Sequence, residues 1–207
     1  MIVAGLTGGI ATGKSTVSAF LAEAGAEIVD ADKIARLVVA KGNPAWEQVV
    51  AHFGKSVLRP DGEIDRKRLA DIIFNDRLQR DRLNGIVHPF VIDESARQLD
   101  RIVERSPDAV AILDVPLLIE SGMHEGLAEI IVVYIPESLQ VERLMQRDGI
   151  SRTEALARIR SQMPIEEKRR FATLLIDNSG PLEVTRAKSA EVYERLKACA
   201  RTGPDAC

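Results

Sequence analysis

Residues 8 to 15 read Gly8-Gly9-Ile10-Ala11-Thr12-Gly13-Lys14-Ser15 and follow directly on an apolar run, Ile2-Val3-Ala4-Gly5-Leu6. The pattern G-x-x-x-x-G-K-[ST] is a phosphate-binding loop, and a strand-like run before it with a helical segment after it is the context the motif requires. Several backbone N–H groups must converge on one triphosphate, so the turn has to be free of bulky side chains where the phosphates approach. In this reading Gly8, Gly9, Ile10, Ala11, Thr12 and Gly13 wrap the nucleotide. Lys14 reaches the β/γ-phosphates, the Ser15 hydroxyl takes Mg²⁺, and the following helix lends its positive N-terminal end. Val17, Phe20, Leu21 and Ala24 keep one face of that helix apolar until Gly25 stops it.

Strand-like runs recur outward from the loop at Glu27–Asp30, Ala109–Asp114, Ile130–Ile135 and Leu174–Ile176. They are mostly apolar throughout rather than alternating, which belongs to a sheet covered on both faces. With helices between them, the expected class is α/β: a P-loop NTPase fold with a five-stranded parallel sheet and right-handed crossovers. Its nucleotide-binding core would comprise residues 1–30, 109–136 and 172–207.

Two helical insertions interrupt that core. In residues 31–108, Asn43-Pro44 reads as an N-cap with proline at the first helical position, opening a helix through Trp46, Val49, Val50 and Phe53 to Gly54. Gly62 marks a turn, and Leu69, Ile72 and Ile73 form a short helical face. A longer stripe follows through Leu83, Ile86, Val87, Phe90 and Val91 to Leu99, Ile102 and Val103, with His88-Pro89 expected to interrupt and kink it. An insertion of this size is expected to carry the second substrate. In residues 137–171, Ser151-Arg152-Thr153-Glu154 has capping-box form and Pro164 restarts a helix. This arginine-rich stretch is where a P-loop kinase keeps its lid. Most of its charges read as solvated helix faces, but Arg143 and Arg147, one turn apart on the helix leaving the fourth strand, are candidates for the site. The last helix, from Leu182 to Cys199, packs through Val192, Leu196 and Cys199, and the tail Arg201–Cys207 is expected to fray.

The 207 residues suffice for one sizeable core and a small appended unit, and 45% hydrophobic with 29% charged residues excludes disorder of the whole chain. A net charge of −3 argues against a nucleic-acid partner, leaving small molecules. Only Cys199 and Cys207 occur, with neither a disulfide framework nor a zinc-ligand spacing, which fits a reducing cytoplasm. No leader and no apolar run of membrane-spanning length is seen, so the expectation is a cytoplasmic protein, a monomer or weak homo-oligomer, away from the membrane.

Phosphoryl transfer requires a metal, cations for the developing charge and a group that orients or deprotonates the acceptor. Asp30 and Asp32 stand where the second strand ends, at the sheet edge where ligands bind; either suits the last role, and either suits a helix cap. Asp114 closes Ala109-Val110-Ala111-Ile112-Leu113 in the manner of a Walker-B strand, whose acidic residue holds Mg²⁺. His88 has no second histidine at metal-ligand spacing, which favours a substrate-side role. A GTP-dependent switch is disfavoured, because no N-K-x-D motif occurs and the D-x-x-G match Asp177-Asn178-Ser179-Gly180 follows the last strand. Another small P-loop kinase, acting on a metabolite or nucleoside monophosphate, is the remaining alternative.

The ordered segments Leu6 to Thr16, Val29-Asp30-Ala31-Asp32, His88-Pro89, Asp114-Val115-Pro116-Leu117-Leu118-Ile119-Glu120, Arg143 to Gly149, and Ser161-Gln162-Met163-Pro164 through Lys168 to Ile176-Asp177-Asn178 resemble the dephospho-coenzyme A kinases. The phosphate loop is generic, whereas D-x-P-L-L-x-E and S-Q-M-P followed by I-D-N, in this order, are specific. The resemblance implies phosphorylation of the ribose 3′-hydroxyl of dephospho-coenzyme A by ATP, with Mg²⁺. It assigns Asp32 as base or orienting carboxylate and Lys14 with Arg143 as γ-phosphate stabilisers. Nucleotide contacts fall to the loop with Thr16, Arg147 and Asn178. Acceptor contacts fall to Thr7, Asp32, His88, Asp114, Pro116 and Leu117, and Mg²⁺ to Ser15 and Asp114. Residues 31–108 become the acceptor domain and 137–171 the lid.

Three departures from the family pattern stand out. Ala11 and Thr12 replace Gly and Ser in the loop, which should be tolerated provided Ala11 keeps a negative φ. Ile119 replaces Phe. Ala172-Thr173 replaces Ala-Asp, removing a carboxylate near the lid's hinge.

Overall fold

The computed structural model describes residues 1–202. Its sheet consists of β1 (Ile2–Gly8), β2 (Glu27–Asp30), β3 (Val110–Asp114), β4 (Glu129–Tyr134) and β5 (Leu174–Asp177), in the order β2-β3-β1-β4-β5. β1 pairs in parallel with β3 and β4, and β4 with β5. The carboxyl ends of all strands therefore share one edge, and the phosphate loop leaves from the central strand at that edge. Gly8, the first residue of the loop motif, is still β1. Around the sheet run α1 (Lys14–Ala24), α6 (Glu137–Asp148), α7 (Arg152–Ile159), α8 (Ile165–Lys168) and α9 (Leu182–Thr202).

The strands are buried along their length, and one face of the sheet builds the main core with α1 and α9. Ala4, Leu6, Ile112, Ile131, Val133 and Ile176 meet Val17 and Leu21 of α1 and Val192, Leu196 and Cys199 of α9, all buried. Gly25 caps α1 at φ 115°, as its position suggested. The capping box at Ser151 and Glu154 is present on both sides. α9 continues three residues past Cys199 to Thr202, with Ala200 packed against the core, so Arg201, expected to fray, is helical. The rest of the tail read as frayed, Cys207 included, lies outside the described residues.

Contacts divide the chain into two compact units, Asp30–Asp100 and, separately, Met1–Val29 together with Arg101 onward. The first holds α2 (Ala31–Val38), α3 (Pro44–Phe53) and α4 (Arg66–Asn75) around Val49, Val57, Ile64, Leu69 and Ile86. Two local readings need correction. α5 runs unbroken from Arg77 to Arg105 with Pro89 inside it, so His88-Pro89 does not interrupt the helix. The buried Ile86 and Val91 on either side offset the hydrogen bond that proline removes. Asn43 holds the N-cap position of α3 without a side-chain cap; its amide instead donates to the Leu37 carbonyl at 2.8 Å. Among the described residues no helix is long and apolar enough to cross a membrane.

Candidate active site

Gly13 ends the loop at φ 86° and serves as N-cap of α1 without any side-chain cap. A Cβ there would lie 2.2 Å from the Asn178 amide nitrogen, so both the conformation and the space demand glycine. The loop closes on itself through Thr12, whose N–H and hydroxyl both donate to the Gly9 carbonyl, at 3.2 and 2.9 Å. Ala11 has φ 61°, the left-handed region, contrary to the negative φ that the replacement of glycine was expected to need. The turn geometry imposes this conformation, and Ala11 offsets part of the strain by packing with Ile10 on Val141, Leu144, Ala155 and Ile159 of α6 and α7.

Three polar side chains brace the loop from outside. Asn178, just past β5, donates to the Thr12 carbonyl at 2.8 Å while its own carbonyl accepts the Thr185 hydroxyl at 2.8 Å. Gln140 of α6 donates to the Ile10 carbonyl at 2.8 Å, and the Ile10 N–H donates to Gln162 at 3.0 Å. Both polar groups of one loop residue are thus held by the segment between β4 and β5. Gly9 leaves room for this, since a Cβ there would lie 2.5 Å from the Gln140 amide nitrogen.

The charged groups gather at the strand ends. Lys14 forms an ion pair with Asp114, which is 5% exposed at the end of β3. Ser15 is exposed in the first turn of α1, and Thr16 is half-buried beside it. Thr7 is fully buried and its hydroxyl donates to the Pro116 carbonyl at 2.9 Å. Pro116 is half-buried and Leu117 exposed. Arg143 donates to the main-chain carbonyl of Asn178 at 3.0 Å, one residue removed from the loop. Arg147 turns instead to Asp148, 2.7 Å away, which also pairs with Arg158. The hydrogen bond from Arg147 is the main cause that holds the Asp148 carboxyl below the usual carboxylate range. Asp30 caps α2, accepting the Lys33 N–H at 3.0 Å, so the capping alternative holds for that carboxylate. Asp32 lies in the first turn of α2, and His88 is exposed on α5, both in the unit Asp30–Asp100.

Sequence reasoning missed Gln140 altogether, and it quoted Glu120, Gln162 and Lys168 without a role, most charges of residues 137–171 being read as solvated. Lys168 is completely buried in α8, where its ammonium lies 2.9 Å from Glu120 and donates to the Pro116 carbonyl at 3.0 Å. Burial pushes it below the ordinary lysine value, against the pull of the Glu120 hydrogen bond, and the positive charge of Lys14 lowers it further. The motif S-Q-M-P pointed at Gln162; a charged string such as Ile165-Glu166-Glu167-Lys168-Arg169-Arg170 gives no signal for a buried lysine.

The hard oxygen donors Ser15 and Asp114 suit Mg²⁺, which takes one or two protein oxygens and completes its shell with water and phosphate. Among the described residues no group of three or more His, Cys, Asp or Glu could hold a metal ion on its own.

A family model described as dephospho-CoA kinase matches residues 1–183. The dephospho-CoA kinase of Carboxydothermus hydrogenoformans is 48% identical over 195 residues, 94% of each chain. That of Halalkalibacterium halodurans is 44% identical over 193 residues, 93% of this chain and 96% of the relative. Among solved structures, the dephospho-CoA kinase from Campylobacter jejuni superposes with a TM-score of 0.72 at 31% identity, covering 95% of this chain and 97% of that one. A Thermus thermophilus protein of known crystal structure gives 0.75 at 38% identity, covering 93% and 97%.

Proposed function

The chain belongs to the dephospho-CoA kinase family, and on that premise we propose that it transfers the γ-phosphoryl group of ATP to the ribose 3′-hydroxyl of dephospho-coenzyme A, giving coenzyme A and ADP. The observation that carries this reading is the loop at the end of β1, with Lys14 and Asp114 paired beside it and the exposed Ser15 at the start of α1. It is the set of donors that a nucleotide triphosphate requires.

The chain's own residues divide the work. The loop amides and the N-terminal end of α1 bind the phosphates, and Lys14 leaves Asp114 for the β/γ-phosphates once they arrive. Ser15 and Asp114 would then hold Mg²⁺, which when bound neutralises charge on the β- and γ-phosphates. Arg143, already one residue from the loop through Asn178, is the cation proposed to meet the transferring group, and Arg147 and Thr16 are kept as outer nucleotide contacts. Asn178 acts through the loop, since both ends of its amide are committed to protein partners. Asp32 is assigned the orienting or proton-accepting role toward the 3′-hydroxyl on the family resemblance and on its place two residues past β2. His88, Pro116 and Leu117 stay assigned to the acceptor side on the resemblance alone, whereas Thr7, fully buried with its hydroxyl on the Pro116 carbonyl, serves that side through Pro116. The setting proposed is the cytoplasm, with a monomer or weak homo-oligomer.

A coupled assay of ADP release with ATP, Mg²⁺ and dephospho-coenzyme A tests this directly. Turnover that depends on the acceptor is expected; good turnover with a nucleoside monophosphate and none with dephospho-coenzyme A would refute the assignment.

A further inference from the structure

Lys168 heads the largest side chains that the fold buries completely. An ammonium withdrawn from water is costly even when paired, and a well-packed apolar side chain of similar size is often at least as stabilising. Stability alone therefore gives no reason for a lysine in this position. Its contacts do. The Pro116 carbonyl that it holds also accepts the Thr7 hydroxyl, from the residue of β1 just before the phosphate loop begins. Two residues before Pro116 stands Asp114, paired with Lys14. Glu120, the carboxylate beside Lys168, also accepts the Met163 N–H at 3.1 Å, next to Gln162 with its bond to Ile10. One buried cation thus fastens the loop that follows Asp114 to the segment that grips the phosphate loop.

We propose that Lys168 is a positioning residue for phosphoryl transfer: by holding the Pro116 carbonyl and Glu120 it fixes the Asp114 loop in register with Lys14 and the phosphate loop. It does so without touching ATP. The same bonds give the segment between β4 and β5 a fixed foot at α8, on a carbonyl close in the chain to the carboxylate that would take the metal ion. The proposal rests on the kinase reading above.

Three variants test it, Lys168→Met, Glu120→Gln and the two combined, each assayed on the full chain for kcat, KM for ATP, melting temperature and its rise with ATP. Wild-type turnover is measured first. If it is found only with another hydroxyl acceptor, the acceptor assignment fails and the comparison of variants proceeds on that acceptor. Methionine nearly matches the length and volume of lysine but strands the Glu120 charge; the double variant removes that charge. For Lys168→Met, kcat is expected to fall at least about tenfold, with KM for ATP within about threefold and the ATP-induced rise in melting temperature intact, the pattern of a contact that matters in the transition state. In the double variant the melting temperature should recover while kcat stays low. If Lys168→Met keeps kcat within about twofold of wild type, or if kcat returns along with the melting temperature in the double variant, the lysine serves only to neutralise Glu120 and the proposal is wrong. Should Lys168→Met fail to fold alone, the double variant is compared with Glu120→Gln, which keeps an acceptor for both donors. A kcat in the double equal to that of Glu120→Gln overturns the proposal, and one about tenfold lower sustains it.

Discussion

Thr173→Asp installs the residue that the family pattern has at this position, and it is expected to destabilise this protein. The Thr173 hydroxyl accepts the Ile130 N–H at 2.8 Å and donates to the Glu129 carboxylate, which is 4% exposed. Aspartate keeps an acceptor for Ile130, loses the donor and brings a second negative charge against a buried one. Losing a donor to a buried carboxylate costs about 1–3 kcal/mol. Two unit charges about 4 Å apart repel by about 4 kcal/mol at an effective dielectric of about 20. The pair can share a proton instead, which restores the lost donor and removes the repulsion, so the whole penalty is capped at roughly 4 kcal/mol at pH 7, about three pKa units above the ordinary carboxyl value. Arg195, 3.4 Å from Glu129 but half exposed, offsets part of it. The net loss is about 3–4 kcal/mol, or roughly 6–16 °C in melting temperature for a chain of this size. The sign with pH follows. The crowded carboxyls of the variant bind a proton more tightly folded than unfolded, so the penalty is full near pH 7 and shrinks as the pH falls toward the ordinary carboxyl value. Melting curves of wild type, Thr173→Asp and Thr173→Val at pH 7 and about 4.5 read this out, the valine variant losing the hydroxyl bonds without adding charge. A Thr173→Asp protein as stable as wild type at pH 7, or a gap that does not narrow on acidification, would refute the reasoning.

Asp32→Asn is expected to keep the fold and the ATP-induced rise in melting temperature while kcat drops by about 10²–10⁴, the worth of a positioned general base. Asp30→Asn should cost far less, because asparagine also caps a helix; the opposite ranking in steady-state kinetics would exchange the two roles. Arg143→Ala should lower kcat by about 10² or more with a much smaller change in ATP affinity by calorimetry, and an unchanged kcat would leave Arg143 as a structural contact of Asn178. Ala11→Gly relieves about 1–2 kcal/mol of left-handed strain and gives back about 0.4–1 kcal/mol through the freer unfolded chain. A rise of about 1–3 °C in melting temperature is expected, and a fall would mean that the packing of the Ala11 methyl outweighs its strain.

What could be read in the sequence was whatever local chemistry decides. A strand buried on both faces must be apolar at every position, so the strands were legible to within two residues at each end. The phosphate loop was legible because few residue types can bring so much backbone to one point. Pro89 and Asn43 misled for the opposite reason: each has a strong local preference that packing or a distant carbonyl overrode. The contacts that brace the loop were hidden because their partners are far away in the chain. Asn178 finds Thr12 across 166 residues, Gln162 finds Ile10 across 152, and Gln140 finds Ile10 across 130. Lys168 is the extreme case. α8 has four residues, too few for any periodicity to show which face turns inward, and the acceptor that makes burial tolerable lies 52 residues earlier. The two strings D-x-P-L-L-x-E and S-Q-M-P nevertheless drew notice as a pair, and the structure gives a physical reason for it. Glu120, the last residue of the first string, accepts from Met163 in the second and lies against Lys168 just beyond it, while Pro116 of the first accepts from that same lysine. The first string supplies the acceptors for a buried cation, and the segment that follows the second supplies that cation for its carboxylate. Changing either alone strands a charge or a donor.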